Sequence, residues 1–443
     1  MHRKSYQALL EWKSSADRKP LILRGARQVG KTYLLKSFGE KEYANLAYFN
    51  FEKEPKLDEL FSEKLEPRAL LEKLSLYAQK TITPETLIVF DEIQASENAL
   101  SSLKYFQEEA PEYHIAAAGS LLGVKLSKAR SFPVGKVNFL NLYPLSFMEF
   151  AEASGKSMLI KYLKQNLNHF KLEEVFHNEL LSLFKVYLYV GGMPEVVASY
   201  LKNQDVQLVR KIQHEILNAY LHDFSKHAED HEVIKILKVW QSIPSHLSKE
   251  NKKFMFSAIA KSARAREYEN ALHWLSNAGL VLFCHNVTAG KIPLAGYQEE
   301  DVFKVYFLDV GLLGASVDLS SQIFAESSRW FVEMKGAIVE NFVAQELVCS
   351  GYSSLYYWRS EGISEVDFLI QTPTEIVPVE VKSGKTKNNK SLREFQKKFG
   401  SSHVVCASST NFKKDADFIQ LPIYAVSLIQ LVAASHPGVS QTV

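Results

Sequence analysis

The stretch "LILRGARQVGKTYLLKSF", residues 21–38, leaves few folds open. An apolar strand runs into a turn bracketed by glycines and from there directly into a helical pattern. Such a strand–turn–helix unit is the opening of a βαβ crossover, so the chain around it is expected to form a parallel sheet with helices on its faces. The rest of the first third agrees, because "NLAYFNFE", "TLIVFDE" and "HIAAAGS" alternate with helical stretches. From about Leu142 the pattern turns helical through "FMEFAEAS", "LFKVYLYVGG" and "VRKIQHEILNAYLHDFSKH". Further on come "LVLFCHNV" and "VYFLDV" around a turn-rich "TAGKIP", and then a helix followed by several strands and another helix.

Within the opening unit, "GARQVGKT" (residues 25–32) fits the P-loop pattern G-x-x-x-x-G-K-[ST] at every fixed position. The cradle consists of Gly25, Ala26, Arg27, Gln28, Val29, Gly30, Lys31 and Thr32. Gly30 lets the backbone curl so that its N–H groups can face phosphate oxygens, and the following helix offers its positive end. Lys31 is expected to reach the β/γ-phosphates and Thr32 to ligate Mg²⁺. The Arg27 side chain reads as solvated. In "LIVFDEI" a buried strand ends in two acids. Asp91 is placed to hold the Mg²⁺ shell, and Glu92 to orient or deprotonate an attacking water. "NLAYFNF" is expected to separate the phosphate strand from the acid strand. Ser120, closing "HIAAAGS", has two readings: a group that senses the γ-phosphate or helps place the water, or an ordinary strand end. Arg130 and Lys136 are candidates for a cation at the developing charge.

These pieces, with "AAGSLLG", "NLYPLSFMEF" and "YVGGMPEVV" in the same order, resemble the prokaryotic AAA-family ATPases that carry a conserved C-terminal domain of uncharacterised function. The resemblance covers nearly the whole chain and implies ATP binding and hydrolysis by Lys31, Thr32, Asp91 and Glu92. Members often have Gly-Arg where this chain has Gly135-Lys136, and lysine lacks the planar fork of arginine. The acid pair and the lack of an evident acceptor site disfavour a P-loop kinase.

Two further regions carry chemistry. "NKKFMFSAIAKSARAREYENALHWLSNAGLVLFCHNV" resembles a winged helix, with Ile259-Ala260 on a first helix, a turn near Ser262-Ala263, and "REYENALHWLSNAGL" as the second helix. Lys249, Lys252, Lys253, Lys261, Arg264 and Arg266 are candidate phosphate clamps for DNA, diluted by Glu250, Glu267 and Glu269. His273 and Trp274 read as core. Tyr220 and Asp223 match a recurring family pattern without an assignable role. In "EVDFLIQTPTEIVPVEVKSGK", Glu380 and Lys382 fall on one face of a strand, with Asp367 on the preceding strand of a hairpin. Two carboxylates about 4 Å apart repel by roughly 4 kcal/mol at an effective dielectric of ~20, which a divalent metal relieves. Upstream, Glu340 offers a third acid. The set Glu340, Asp367 and Glu380-x-Lys382 resembles the PD-(D/E)xK nuclease fold, although Val366 stands where its consensus has proline. That resemblance implies Mg²⁺ ligation by Glu340, Asp367 and Glu380, with Lys382 holding the attacking water.

The expected fold class is therefore α/β: a P-loop NTPase parallel sheet, a helical and winged-helix middle, and a C-terminal α/β nuclease-like domain. Expected boundaries are 1–150, 151–231, 232–325 and 326–435, with a tail at 436–443. A formal net charge of +2 excludes a uniformly basic surface, so DNA contact would have to come from local patches. Cys284, Cys349 and Cys406 lie far apart, as reduced thiols rather than a disulfide or zinc framework. With no signal-peptide core and no run approaching the ~18 apolar residues of a membrane span, the expectation is a cytoplasmic protein. Two functions compete. One is a Mg²⁺-ATPase with a metal-dependent nuclease-like domain acting on or near DNA. The other is an ATP-gated module whose silent nuclease-like domain binds a protein partner.

Overall fold

The computed structural model describes residues 1–62, 65–120, 123–124, 135–167, 171–249, 252–259, 264–320, 332–362, 364–382 and 389–434. Arg130, Glu250, Lys261, the Ala260–Ala263 turn, the 325/326 boundary and the tail lie outside the described residues. The chain divides into two compact units, Met1–Tyr143 with His273–Leu280, and Pro144–Leu272 with Val281–Val443.

The first unit is built on five parallel strands: β1 (Leu21–Arg24), β2 (Asn45–Asn50), β3 (Thr86–Asp91), β4 (His114–Gly119) and β5 (Asn138–Asn141). Their order in the sheet is β2-β3-β4-β1-β5. Every residue of β3 is buried, which suits a central strand covered on both faces and explains its unbroken apolar run. A strand does separate the phosphate strand β1 from the acid strand β3, but it is β4. The "NLAYFN" strand lies on the far side of β3, at the sheet edge. Both orders satisfy the same alternation along the chain, and only the crossovers decide between them. Phe49, Phe51, Phe61 and Phe90 pack edge-on or tilted with centroids 5.6–6.0 Å apart, filling one face of the sheet. The helix Glu97–Glu109 starts on that face. Its N-cap Ser96 Oγ accepts the Ala99 N–H at 3.0 Å.

The second unit contains an eight-stranded mixed sheet. Its strands are β6 (Val281–Val287), β7 (Gln298–Phe307), β8 (Leu355–Arg359), β9 (Glu365–Gln371), β10 (Ile376–Val381), β11 (Val404–Ser408), β12 (Lys413–Asp415) and β13 (Phe418–Pro422). They run in the order β12-β13-β11-β10-β9-β8-β6-β7. The hairpin β6–β7, expected as the wing of a separate domain, pairs through β6 with β8 in parallel, so the sheet continues across residue 325. The run β8-β9-β10 is antiparallel and β10 pairs with β11 in parallel. Among the described residues, six helices precede the sheet between Phe147 and Leu247. The first, Phe147–Ala153, opens on a capping box of Ser146 and Glu149.

A buried polar network ties this unit together. Asp309 accepts the N–H groups of Gly192 (2.6 Å) and Leu312 (3.0 Å), and Gln345 donates to the Tyr187 hydroxyl at 2.9 Å while accepting the Val310 N–H. Glu346 Oε1 accepts the Phe147 N–H at 2.7 Å. Burial raises Asp309 to about 6, against the pull of those same N–H donors.

The winged-helix expectation needs local correction. Where a first helix was expected at Ile259, the chain forms a short 3₁₀ turn, Phe256–Ala258, with Ile259 as its C-cap. The second helix, Ala265–Asn277, is present. On it Trp274 is buried, whereas His273, about 100° around the helix from it, is exposed. Tyr220 and Asp223 are both buried within the helix Val206–His227. Among the described residues no helix is long and apolar enough to cross a membrane.

Candidate functional site

The phosphate-binding turn is shaped by two positions that only glycine fills easily. Gly30 has φ +95° as it hands the chain to the helix Lys31–Glu42. Gly25 has φ +153°, and a Cβ there would stand 2.2 Å from the Leu142 carbonyl oxygen. Arg3 closes the turn from behind, its guanidinium donating to the carbonyls of Val29 (3.2 Å) and Tyr143 (2.5 Å).

Lys31 is 6% exposed and folds back on the turn, donating to the carbonyls of Gly25 (2.8 Å) and Ala26 (2.7 Å). Burial lowers its pKa to about 8, although Glu92 and Asp91 pull the other way. Thr32 Oγ1 donates to Asp91 Oδ2 at 2.9 Å. The same oxygen accepts the Tyr48 hydroxyl at 2.6 Å, with the Asn50 amide at 3.4 Å. Asn50 is there because β2 pairs with β3 in a register that sets Asn50 opposite Asp91. Thr32 and Asp91 thus form the hard-oxygen pair that suits Mg²⁺.

Glu92 has φ +50°, a left-handed conformation that costs a non-glycine residue about 1 kcal/mol or more. The kink turns its carboxylate toward β4, where Oε2 accepts the Ser120 N–H (3.3 Å), the Ser120 hydroxyl (3.1 Å) and the Gln94 amide (2.5 Å). Ser120 is thus an orienter of Glu92. Arg27 lies 3.7 Å from Glu52. Lys136 pairs with Glu108 at 2.9 Å, and that bond holds the Glu108 carboxyl below its ordinary range.

The C-terminal carboxylates meet lysines. Lys304, on β7, is fully buried and contacts Glu340 Oε1 (3.0 Å), Glu365 Oε1 (2.6 Å) and Asp367 Oδ1 (4.0 Å). Lys252 holds the other oxygen of Glu340, so this expected phosphate clamp turns inward. The Tyr306 hydroxyl donates to Glu340 Oε1 at 2.5 Å. Asp367 Oδ2 accepts the Val381 N–H at 2.7 Å, and Lys382 pairs with Glu380. Burial favours the neutral form of Glu340, but Lys252 and Lys304 outweigh it and bring the carboxyl down to about 2. Burial and the charge of Glu340 push Asp367 up to about 7.

Among the described residues no group of three His, Cys, Asp or Glu side chains is arranged to hold a metal ion. Of the expected set, Glu340 and Asp367 both face Lys304, and Glu380 pairs with Lys382. Lys304 and Glu365 were missed by the sequence reading. The available signal was a lone lysine inside the apolar run "VFKVYF", where an ionised group requires a buried partner. Tyr48, Asn50 and Gln94 had no comparable signal.

Residues 17–151 match the family model of an AAA domain. Residues 181–323 and 335–426 match two domains of unknown function, DUF8612 and DUF4143. The first of these spans the helical middle and the β6–β7 hairpin together. No curated protein matches the chain. Among solved structures, the Walker-type ATPase PABY2304 of Pyrococcus abyssi is 16% identical, with 71% of this chain and 95% of that chain covered at a TM-score of 0.42. The Thermotoga maritima RuvB Holliday junction branch migration motor is 15% identical, covering 63% and 87%, at 0.30. The Aeropyrum pernix Orc1 protein in complex with DNA is 10% identical, covering 72% and 93%, at 0.26. The segment that matches the AAA domain model is the parallel sheet with its glycine-bracketed turn.

Proposed function

We propose that this protein is a Mg²⁺-dependent ATP hydrolase worked by Lys31, Thr32, Asp91 and Glu92. The observation that carries the reading is the contact of Thr32 with Asp91 at the foot of the phosphate turn, with Glu92 one residue on. Among the described residues the Lys31 ammonium donates to the carbonyls of Gly25 and Ala26, and burial lowers its pKa despite Glu92 and Asp91, so the negative charge of a triphosphate would stabilise its charged form. Thr32 and Asp91 are the residues that would hold Mg²⁺, which when bound neutralises charge on the β- and γ-phosphates. Glu92 receives the proton of the attacking water at its carboxylate, and Ser120 and Gln94 set its direction. Lys31→Ala is expected to weaken ATP about 10- to 100-fold, the worth of a charge-assisted contact of roughly 1.5–3 kcal/mol. Fluorescent-nucleotide titration measures it, and unchanged affinity would remove Lys31 from the site.

For the C-terminal domain the geometry favours an interaction module with a silent nuclease-like site, in an ATP-gated protein. The specific observation is that Lys252, Lys304 and Tyr306 already occupy both oxygens of Glu340. Contact with DNA, if made, rests on the exposed Lys249, Arg264 and Arg266. Incubation of labelled single- and double-stranded DNA with the protein, with Mg²⁺ or Mn²⁺ and with or without ATP, is expected to leave the strands intact. Cleavage abolished by Glu380→Ala would restore the nuclease reading.

A further inference from the structure

An ionised lysine with no solvent exposure persists only where fixed negative charge surrounds it. Lys304 meets that condition through three carboxylates on two elements, Glu340 on the helix Val332–Cys349 and Glu365 and Asp367 on β9. Its side chain crosses the face of the sheet, with the ammonium 4.7 Å from the centre of the Tyr357 ring on β8. Burial lowers the affinity of Lys304 for its proton, but the carboxylates outweigh it and the group stays charged. Lys252 brings a second ammonium to Glu340 from the other side.

We infer that Lys304 is a resident cation, standing in the place of a divalent metal among Glu340, Glu365 and Asp367 and closing the C-terminal domain to Mg²⁺ and Mn²⁺. The inference rests on the silent-site reading above and supplies its physical cause. Within the expected metal set of Glu340, Asp367 and Glu380, every carboxylate oxygen but one is engaged or faces an ammonium. Glu340 holds both lysines and Tyr306, Asp367 Oδ1 faces Lys304, and Asp367 Oδ2 holds the Val381 N–H. The exception is Glu380 Oε2, buried and without a hydrogen-bond partner among the described residues. Its sister oxygen is taken by Lys382, so a cation arriving there finds one free carboxylate oxygen, where Mg²⁺ and Mn²⁺ ordinarily require several hard donors. The lysine also does what a metal would do for the architecture. It is carried by β7, within residues 181–323, and its acids belong to residues 335–426.

The test is Mn²⁺ binding to the full-length, nucleotide-free protein, followed by the electron paramagnetic resonance of free Mn²⁺ and by melting with and without the ion. Wild type and Glu380→Gln are expected to give superimposable binding curves, because neither has a Mn²⁺ site at the cluster. Lys304→Met is expected to take up one additional Mn²⁺ per chain and to melt higher in its presence, since the freed carboxylates then recruit the ion. A variant that folds only with Mn²⁺ supports the inference equally. A Mn²⁺ site in wild type that Glu380→Gln removes would overturn it, as would a folded Lys304→Met that gains no ion. Should Lys304→Met not fold under either condition, the comparison of wild type with Glu380→Gln decides. Mn²⁺ binding at the cluster without DNA cleavage would overturn the lysine inference alone, whereas cleavage would overturn the silent-site reading beneath it.

Discussion

Glu92→Gln is expected to bind ATP as the parent protein does and to turn it over about 100- to 1000-fold more slowly, the usual worth of a positioned general base. The substitution keeps the side chain's size and one carbonyl oxygen, so Ser120 and Gln94 can still hold it against β4. It removes the negative charge that attracts a proton from water. Lys31 and Thr32 are untouched, so affinity is retained. Steady-state phosphate release together with nucleotide titration on the same sample separates the two effects. Turnover within a few-fold of the parent would take Glu92 out of the proton-transfer role, and a parallel fall in affinity would show that the substitution had disturbed the phosphate turn instead.

Lys304→Met should lose about 3–5 kcal/mol of folding stability at neutral pH, the cost of leaving buried charge without its partner. Methionine replaces the stem but not the ammonium, so the packing over Tyr357 is largely kept and the loss is electrostatic. The deficit has a defined pH dependence. Burial and the charge of Glu340 hold Asp367 near 7, above its unfolded value, so Asp367 favours the folded state less and less as pH rises from about 4 through about 7. The pull of Lys304 is already part of that balance, so its removal raises the Asp367 carboxyl further and widens the pH range over which its ionisation opposes folding. Without it the deficit should be largest above pH 7 and shrink as the pH falls toward 5, where Asp367 is protonated and no longer needs a cation. Denaturant midpoints of parent and variant across that range test this. A deficit that does not vary with pH would mean that the lysine acts through packing alone.

Much of the first domain was open to inference because its requirements are local. A phosphate turn needs glycine where φ is positive, a lysine within reach of its own loop and a hydroxyl at the start of the helix. Gly25, Gly30, Lys31 and Thr32 meet those needs within eight consecutive residues. Asp91 was legible as a special position because a strand buried along its whole length tolerates an acid only where polar partners meet it, here Thr32 and Tyr48. The alternation of strands and helices likewise implied a parallel sheet. Its strand order was not implied, and the strand beside the phosphate strand proved to be β4.

What sequence alone determined is the chemistry of single segments: the turn, the acid pair, the apolar strands and the acids at 340, 367 and 380. Which charge meets which was decided only by the tertiary structure. Lys252 and Lys304 lie 88 and 36 residues from Glu340, and nothing in their own segments names that partner. Spacing along the chain suggested a metal site, and the folded sheet sets Lys304 against Glu340, Glu365 and Asp367. The physical reason is that a buried charge is compensated through space, by whichever group the packing brings within a few ångströms, while a backbone turn is specified by the residues that form it.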